Sequence, residues 1–579
     1  MTGAISYDEP IPDLLSETPS FRVDFDDLHE ALVFGFTLGT SVDAFDRALA
    51  NASLPPSTWD PSAFERDVFL EDLARRALRI RLPIKNLQPC YPYLLRIISE
   101  PPRDLGVVTL RQRVFAELHQ SAKMREDFER IYVRLAELKG TLTSEASGRR
   151  SVATHRRMEM LRMIQAIVLD LAGSFEGATS ALRRLPAFGR ATKESEAYQR
   201  LQTLLEHDDH LGTVNVEVRV GADGTLRKFD IVKVRENEAN AHYVSPLMRF
   251  WNRIGMLFRG FRVTAGEIFE RLIDDVFSGM ERAVAFCMQL LGDMEFYLAG
   301  LGLADLAKDK GLPICLPEIV ADAGQGMQIT KLYNPLLLAG KTKPIPCDLS
   351  TKRRDAVVMV TGPNSGGKTR LLQSIGLVQL LGQTGCFVTA EKATLPMLGG
   401  MFVSLIEEAK SDQPEGQLGM ELMRIRRLFE ELGLSSLVLL DELCSGTNPS
   451  EGEEIARLVI SLLPELESPV FMTTHLLTLA TRLSEDPPVQ TLEFLQVELD
   501  ENDRPTYAFV PGVAKTSLAH KTAARLGVTR DELVTLIGKK KRGEGLSDEE
   551  RAARRRAKAG VSDRPPPDRA RMKRPARFR

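Results

Sequence analysis

The octet Gly362-Pro363-Asn364-Ser365-Gly366-Gly367-Lys368-Thr369 follows the β-branched run AVVMVT at 356–361 and precedes a helical pattern at 370–381. Its glycines allow backbone N–H groups to turn inward around a polyphosphate, and the helix that follows aims its positive end at the same anion. Lys368 is expected to reach the outer phosphates and Thr369 to ligate Mg2+. A second feature is LVLLDE at 437–442, four apolar residues and then two carboxylates. A strand ending at Asp441 places one carboxylate to hold Mg2+ through water, and Glu442 beside it can polarise an attacking water. The pair lies downstream of the loop and ahead of Ser445-Gly446-Thr447, which makes it far more specific than an acid after a strand. His475 ends the run MTTH, where a neutral imidazole can sense the outermost phosphate.

These groups need rigid supports at the ends of strands. Short apolar runs at 356–361, 386–389, 437–440 and 470–473 alternate with helical segments, the pattern of an α/β domain with a buried parallel sheet. The first 100 residues mix apolar runs with Pro-rich breaks and read as short helices joined by turns. From Thr109 apolar residues recur at helical spacing, with a break near 143–148. Alternation of Val214, Val216, Val218 and Val220 with polar residues, then GADG and a second run at 226–234, predicts a β-hairpin inserted between helices. Helical patterning resumes over about 246–308, and two short helices at 516–525 and 529–537 flank Gly527.

A chain of 579 residues with 43% hydrophobic and 27% charged residues has ample core, which excludes wholesale disorder. Its net charge of −3 conceals a division. Residues 539–579 hold 16 Lys+Arg against 6 Asp+Glu, a +10 tail with few large apolar residues, and the rest of the chain carries −13. Such a tail is expected to be disordered and to bind polyanions without sequence preference. The six cysteines form no CxxC pair, which supports neither a zinc site nor a disulfide framework and suits a reducing cytosol. No secretory signal and no sufficiently apolar run is read, so a cytoplasmic protein with no membrane partner is expected.

GPNSGGKT, GCFVTAEKATLP, LLDELCSGTNPSEG and MTTH, in this order, resemble the MutS family of DNA-repair ATPases over roughly 312–538. RLGV in the closing helices, LYNPLL ahead of the loop and IISEPPRDLGVVTLRQRVFAEL at 97–118 extend the likeness. The resemblance implies an ABC-like P-loop NTPase with a mostly parallel sheet, preceded by an α-helical core and lever region carrying a small β-hairpin clamp. It implies ATP and Mg2+ as cofactors and an ATP hydrolase in which Lys368, Glu442 and His475 are catalytic and Thr369 and Asp441 serve the metal. Nothing before Ile97 resembles the family's mismatch-reading domain, and DELCSGTNPSEG resembles the branch that does not perform ordinary mismatch repair. That branch usually ends in a small nuclease domain, where a basic tail is expected here. Gly416 stands where the family's signature segment has Ser, Leu476 follows His475 where an aromatic is usual, and Tyr507 or Phe509 is the candidate to stack on adenine.

By this resemblance two chains form a homodimer, each nucleotide being completed by the partner's Ser445-Gly446-Thr447 and by its segment 415–421. The expected organisation is an N-terminal helical segment at 1–108, lever helices at 109–310 with the hairpin at 213–234, the ATPase at 311–514, a dimerising helix pair at 515–538 and the tail. DNA contact would fall to the hairpin, the tail, or the interleaved Arg and aromatic residues from Arg249 to Arg262. The hairpin is equally read as a solvated surface, and the Arg-aromatic stretch as a packed amphipathic helix. The favoured function is a structure-dependent, sequence-nonspecific DNA clamp in repair or recombination control. A ribosome-associated clamp is one alternative, with ribosomes or repair proteins as partners, and a transporter- or chromosome-type ATP-binding subunit is another.

Overall fold

Asp24, Asp104 and Ser121 each accept a backbone N–H from the first turn of the helix that follows, which fixes the starts of Phe25–Thr37, Leu105–Gln120 and Ala122–Thr143. Ser121 both ends one helix and caps the next. The structure, a computed structural model, describes residues 10–82, 89–144, 150–209, 213–220, 226–235, 265–321, 324–363, 365–405, 417–443, 449–515 and 528–541. Residues Met1–Lys515 form one compact unit and Thr516–Arg579 a second. As the sequence pattern requires, the N-terminal part is helical, and Ala122–Thr143 and Arg150–Gly173 stand on either side of the expected break. The expected hairpin consists of strands β1 (Thr213–Val220) and β2 (Leu226–Arg235), antiparallel with Thr213 opposite Arg235.

The 45-residue helix Ala265–Asp309 is about 68 Å long at 1.5 Å per residue. Among the described residues its stretch Glu270–Asp309 is the one helix long and apolar enough to cross a membrane, and its most apolar window is wholly buried inside the protein. Phe36 stacks on its Phe277 at 3.8 Å between ring centroids, and Phe115 packs against its Phe296 and Tyr297.

Two sheets follow. The smaller runs β3 (Glu318–Val320), β7 (Lys392–Pro396), β4 (Gln328–Leu332), β5 (Cys347–Ser350). In the larger, β12 (Pro505–Pro511), β11 (Leu492–Leu499), β6 (Val357–Thr361), β10 (Val470–Thr474), β9 (Leu437–Leu440) and β8 (Met401–Ser404) lie side by side. All its pairings are parallel except that of β12 with β11. Three of the four runs read as strands are β6, β9 and β10, and the fourth requires correction. Residues 386–389 form only a single antiparallel bridge, Val388 with Cys315, because Gly385, at φ +90°, ends a helix immediately before them.

Alternate residues of the central strands enter two different cores. Val358, Val360, Leu437, Leu439 and Phe471 join the cluster that continues through the N-terminal helices. Val357, Met359, Val438, Leu440, Val470 and Met472 face the helices Gln417–Glu431, Pro449–Leu462 and Leu477–Glu485.

The helix Lys368–Thr384 lies in the first of these cores, and every residue from Leu371 to Thr384 is buried. Two of its buried glutamines reach the backbone of a neighbouring segment. Gln379 donates to Pro396 O at 2.9 Å, and Gln383 both donates to Leu398 O at 2.8 Å and accepts its N–H at 3.0 Å. At its C-terminus, Arg111 donates to Thr384 O at 3.1 Å and to Leu15 O at 3.2 Å.

Further charges are buried behind Arg111. The Arg22 guanidinium pairs with Asp293, donates to Tyr93 Oη at 2.5 Å and lies 3.4 Å from Asp13. Glu295, also buried, accepts from the Cys90 N–H at 2.8 Å and the Tyr132 hydroxyl at 3.5 Å. Burial pushes its carboxyl from an ordinary 4.5 up to about 7, against the pull of Lys139 and with the help of Asp46. The folded value lies above the unfolded one, so the protonated carboxyl's contribution is complete below pH 4.5 and is lost as pH rises through about 7. Glu295→Gln, neutral throughout, is expected to remove that slope, so that its stability relative to the parent rises between pH 5 and 8. Urea unfolding midpoints of both proteins between pH 5 and 8 test this.

Candidate functional site

Strand β6 is buried along its length and ends at Thr361, whose hydroxyl donates to Leu495 O on β11 at 3.2 Å and accepts the Ala514 N–H at 2.9 Å. The chain then turns through Gly362 at φ +134° and Gly367 at φ +87°, backbone states that favour glycine. A Cβ at Gly362 or at Gly366 would stand 2.7 Å from Val497 Cγ2, so β11 presses against the turn and excludes side chains from it. Asn364 lies outside the described residues. The Tyr507 ring stands 3.3 Å from where a Cβ of Gly367 would be.

Lys368 opens the helix that follows and is buried, its Nζ donating to Gly362 O at 2.9 Å and Pro363 O at 3.3 Å. Burial pulls its ammonium below the ordinary lysine range, while the charges of Glu442 and Asp441 hold it up. Backbone N–H groups at a helix N-terminus beside a buried ammonium form an anion site.

The next residue reaches the sheet. Thr369 Oγ1 donates to Asp441 Oδ2 at 2.6 Å, so strand order has brought the two residues expected to serve a metal into contact. Two hard oxygen donors of this kind fit Mg2+, which takes few protein ligands and keeps several waters.

Asp441 follows β9, its N–H donating to Ser404 O at 3.0 Å. Glu442 adopts φ +52°, a left-handed state that costs a non-glycine residue about 1 kcal/mol or more. Its N–H donates to Thr473 Oγ1 at 3.0 Å, and the Thr473 hydroxyl donates in turn to Asp441 Oδ1. Strand β10 therefore does more than separate β6 from β9. It delivers Thr473 between the two carboxylates and His475 immediately after. His475 Nδ1 stands 3.4 Å from Glu442 Oε1 without hydrogen-bond geometry. From the helix Gln417–Glu431, Arg424 donates to Asp441 O at 3.0 Å and also to Ser404 O.

Gly362, Pro363, Ser365, Gly366, Gly367, Lys368, Thr369, Asp441, Glu442 and His475 thus converge at the ends of three neighbouring strands. Ser445, Gly446, Thr447 and Gly416 lie outside the described residues, as do Arg249 to Arg262, the side chains of the hairpin, and residues 542–579 of the tail, whose first three residues continue the helix Arg530–Lys541. Thr473, Arg424 and Val497 were not singled out from the sequence. A second Thr before His475 was the one visible signal for the first of them. Among the described residues no cluster of His, Cys, Asp and Glu could hold a metal by itself, and Cys90, Cys287, Cys315, Cys347 and Cys386 are free thiols.

The family described as MutS domain V matches residues 358–536. The protein Endonuclease MutS2 of Thermus thermophilus is 28% identical over 490 residues, which is 82% of this chain and 62% of that protein. Endonuclease MutS2 of Streptococcus uberis is 29% identical over 353 residues, covering 58% and 44%, and that of Thermomicrobium roseum 33% over 201 residues, covering 34% and 25%. The chain spans less than two thirds of the length of each of these relatives.

Val497 makes the glycine requirement testable. Gly366→Ala is expected to lower nucleoside triphosphate affinity at least about tenfold, and the added change Val497→Ala to recover part of it. Titration with a fluorescent ATP analogue reads both.

Proposed function

We propose that the chain is a member of the MutS family, a reading supported by the MutS domain V match at residues 358–536 and by the likeness to Endonuclease MutS2 proteins, and that it is an ATP hydrolase that acts as a clamp on DNA in repair or recombination. The observation that carries the ATPase reading is the convergence of Lys368, Thr369, Asp441, Glu442 and His475 at one end of the sheet. Gly362 to Thr369 bind the triphosphate, with Lys368 drawn toward its outer phosphates. Thr369 and Asp441 would hold Mg2+, which when bound would supply charge neutralisation of the phosphates. Glu442 orients the attacking water and His475, beside it, meets the outermost phosphate. The half-exposed Tyr507 ring, next to Gly367, is the side chain offered to adenine.

We read the working form as a homodimer in which the partner's Ser445-Gly446-Thr447 and its segment 415–421 complete each site. In the second unit, Thr529 and Glu532 exchange hydrogen bonds in a capping box that starts the helix Arg530–Lys541. That helix and the residue before its cap expose Val528, Leu533, Val534 and Ile537, an apolar face that supports association. The organisation expected from the sequence, with levers and hairpin at 109–310, ATPase at 311–514, helix pair at 515–538 and basic tail, remains our scheme for coupling ATP to the clamp. Branched or damaged DNA is the proposed substrate, and the tail the proposed sequence-nonspecific contact.

Two changes separate the parts of this reading. Glu442→Gln is expected to keep ATP binding and to lower turnover at least about 100-fold, in a phosphate-release assay; near-normal turnover contradicts the assignment. Deleting residues 539–579 is expected to leave ATP turnover intact while weakening DNA binding and flattening its dependence on salt. Titrations of four-way junctions, forks, mismatched duplex and ribosomes at several salt concentrations measure this, and preference for ribosomes over every DNA would replace the substrate proposed.

A further inference from the structure

The Thr473 hydroxyl has one proton and is buried at the end of β10, where Thr473 is 1% exposed. That proton goes to Asp441 Oδ1, which leaves the oxygen's lone pairs for the N–H of Glu442 at 3.0 Å. The donor direction is therefore fixed, and one atom touches both the carboxylate expected to serve the metal and the backbone of the residue expected to orient water. Asp441 has its other oxygen engaged by Thr369 at 2.6 Å, so both of its oxygens accept from a hydroxyl and its side-chain torsion is determined from two sides. Glu442 sits at φ +52°, a state its own side chain disfavours. The Thr473 oxygen is the acceptor that holds its N–H in that state.

We infer that Thr473 is a positioning residue for hydrolysis, a hydroxyl that sets Asp441 and Glu442 in register with each other. The inference rests on the ATPase reading above. Strand pairing explains why β10 is suited to the task. It lies between β6 and β9, with Thr473 opposite Val360 of the strand that enters the loop and Met472 opposite Leu440 of the strand that ends at Asp441. Thr473 therefore stands between the strand that enters the loop and the one that ends at the two carboxylates.

Thr473→Val, Thr473→Ala and Thr473→Ser in the full chain test this. Val keeps the β-branched shape in a buried strand and Ala guards against overpacking, whereas Ser alone keeps the hydroxyl. In Val and Ala the ATP affinity measured in EDTA is expected to stay within about twofold of the parent, because the phosphate loop is untouched. Their turnover is expected to fall roughly 100-fold, as for other misplacements of catalytic groups, and half-maximal Mg2+ to rise. Ser is expected to recover turnover to within about fivefold, with the parental Mg2+ dependence. Parental turnover and Mg2+ dependence in Val and Ala would overturn the inference. So would a Ser variant as impaired as Val, since packing of the methyl group would then be the cause. A parent chain that does not hydrolyse ATP defeats the ATPase reading instead. In that case the gain in ATP affinity on adding Mg2+ carries the comparison, expected to be lost in Val and Ala and kept in Ser; a gain retained in all three overturns the positioning role.

Discussion

From Leu371 to Thr384 the helix that leaves the glycine-rich loop has no face toward water, and most of the architecture answers that constraint. A helix without a solvent face cannot carry charge along its buried length, and its glutamines and threonine need partners in fixed places. Gln379 and Gln383 find them in the backbone of residues 396–398, at the end of β7, and Thr384 in Arg111 and Ile98. The sheet covers one side and the N-terminal helices the other. The 17 residues between Lys368 and Thr384 form a rod of about 25 Å whose two ends are anchored to different parts of the chain.

That arrangement explains why strongly polar chemistry lies deep in the helical region. Arg111 joins the far end of the rod to Leu15, and residues 13–22 are in turn tied to the long helix through Asp293, Arg22 and Tyr297. Buried ion pairs of this kind add little net stability but leave few alternative arrangements. At the near end the same economy of partners recurs, with each oxygen of Asp441 accepting from one threonine.

Much of this was legible in the residues. GxxxxGK[ST] between a β-branched run and a helical pattern, and two acids after four apolar residues, located the loop, the helix and both carboxylates. The charge-free run 373–390 was equally visible, but a single sequence does not say what covers it, and its meaning, burial on two sides, needs the tertiary structure. The same run misled at 386–389, where apolar β-branched character reflects burial beside Phe115 and Cys315 and not strand pairing. β10 was identified as a strand, but its position between β6 and β9 depends on crossover connections that periodicity does not encode. The roles of Thr473 and Val497 follow from that order, which is why neither stood out. Arg424 belongs to the same class, a long side chain bonded to carbonyls of two strands distant in sequence.

The apolar cluster that begins at Leu14 and ends at Phe471 is continuous, although the sequence reads as a helical region followed by an α/β region. Neither region owns the surface between them. An isolated piece starting near residue 311 would carry the helix Lys368–Thr384 with one flank stripped, exposing its leucines and leaving Thr384 without Arg111 and Ile98. The helices and one face of the sheet share a single apolar cluster, so removing either uncovers residues of the other. Modularity in the order of the sequence does not here become modularity of the core.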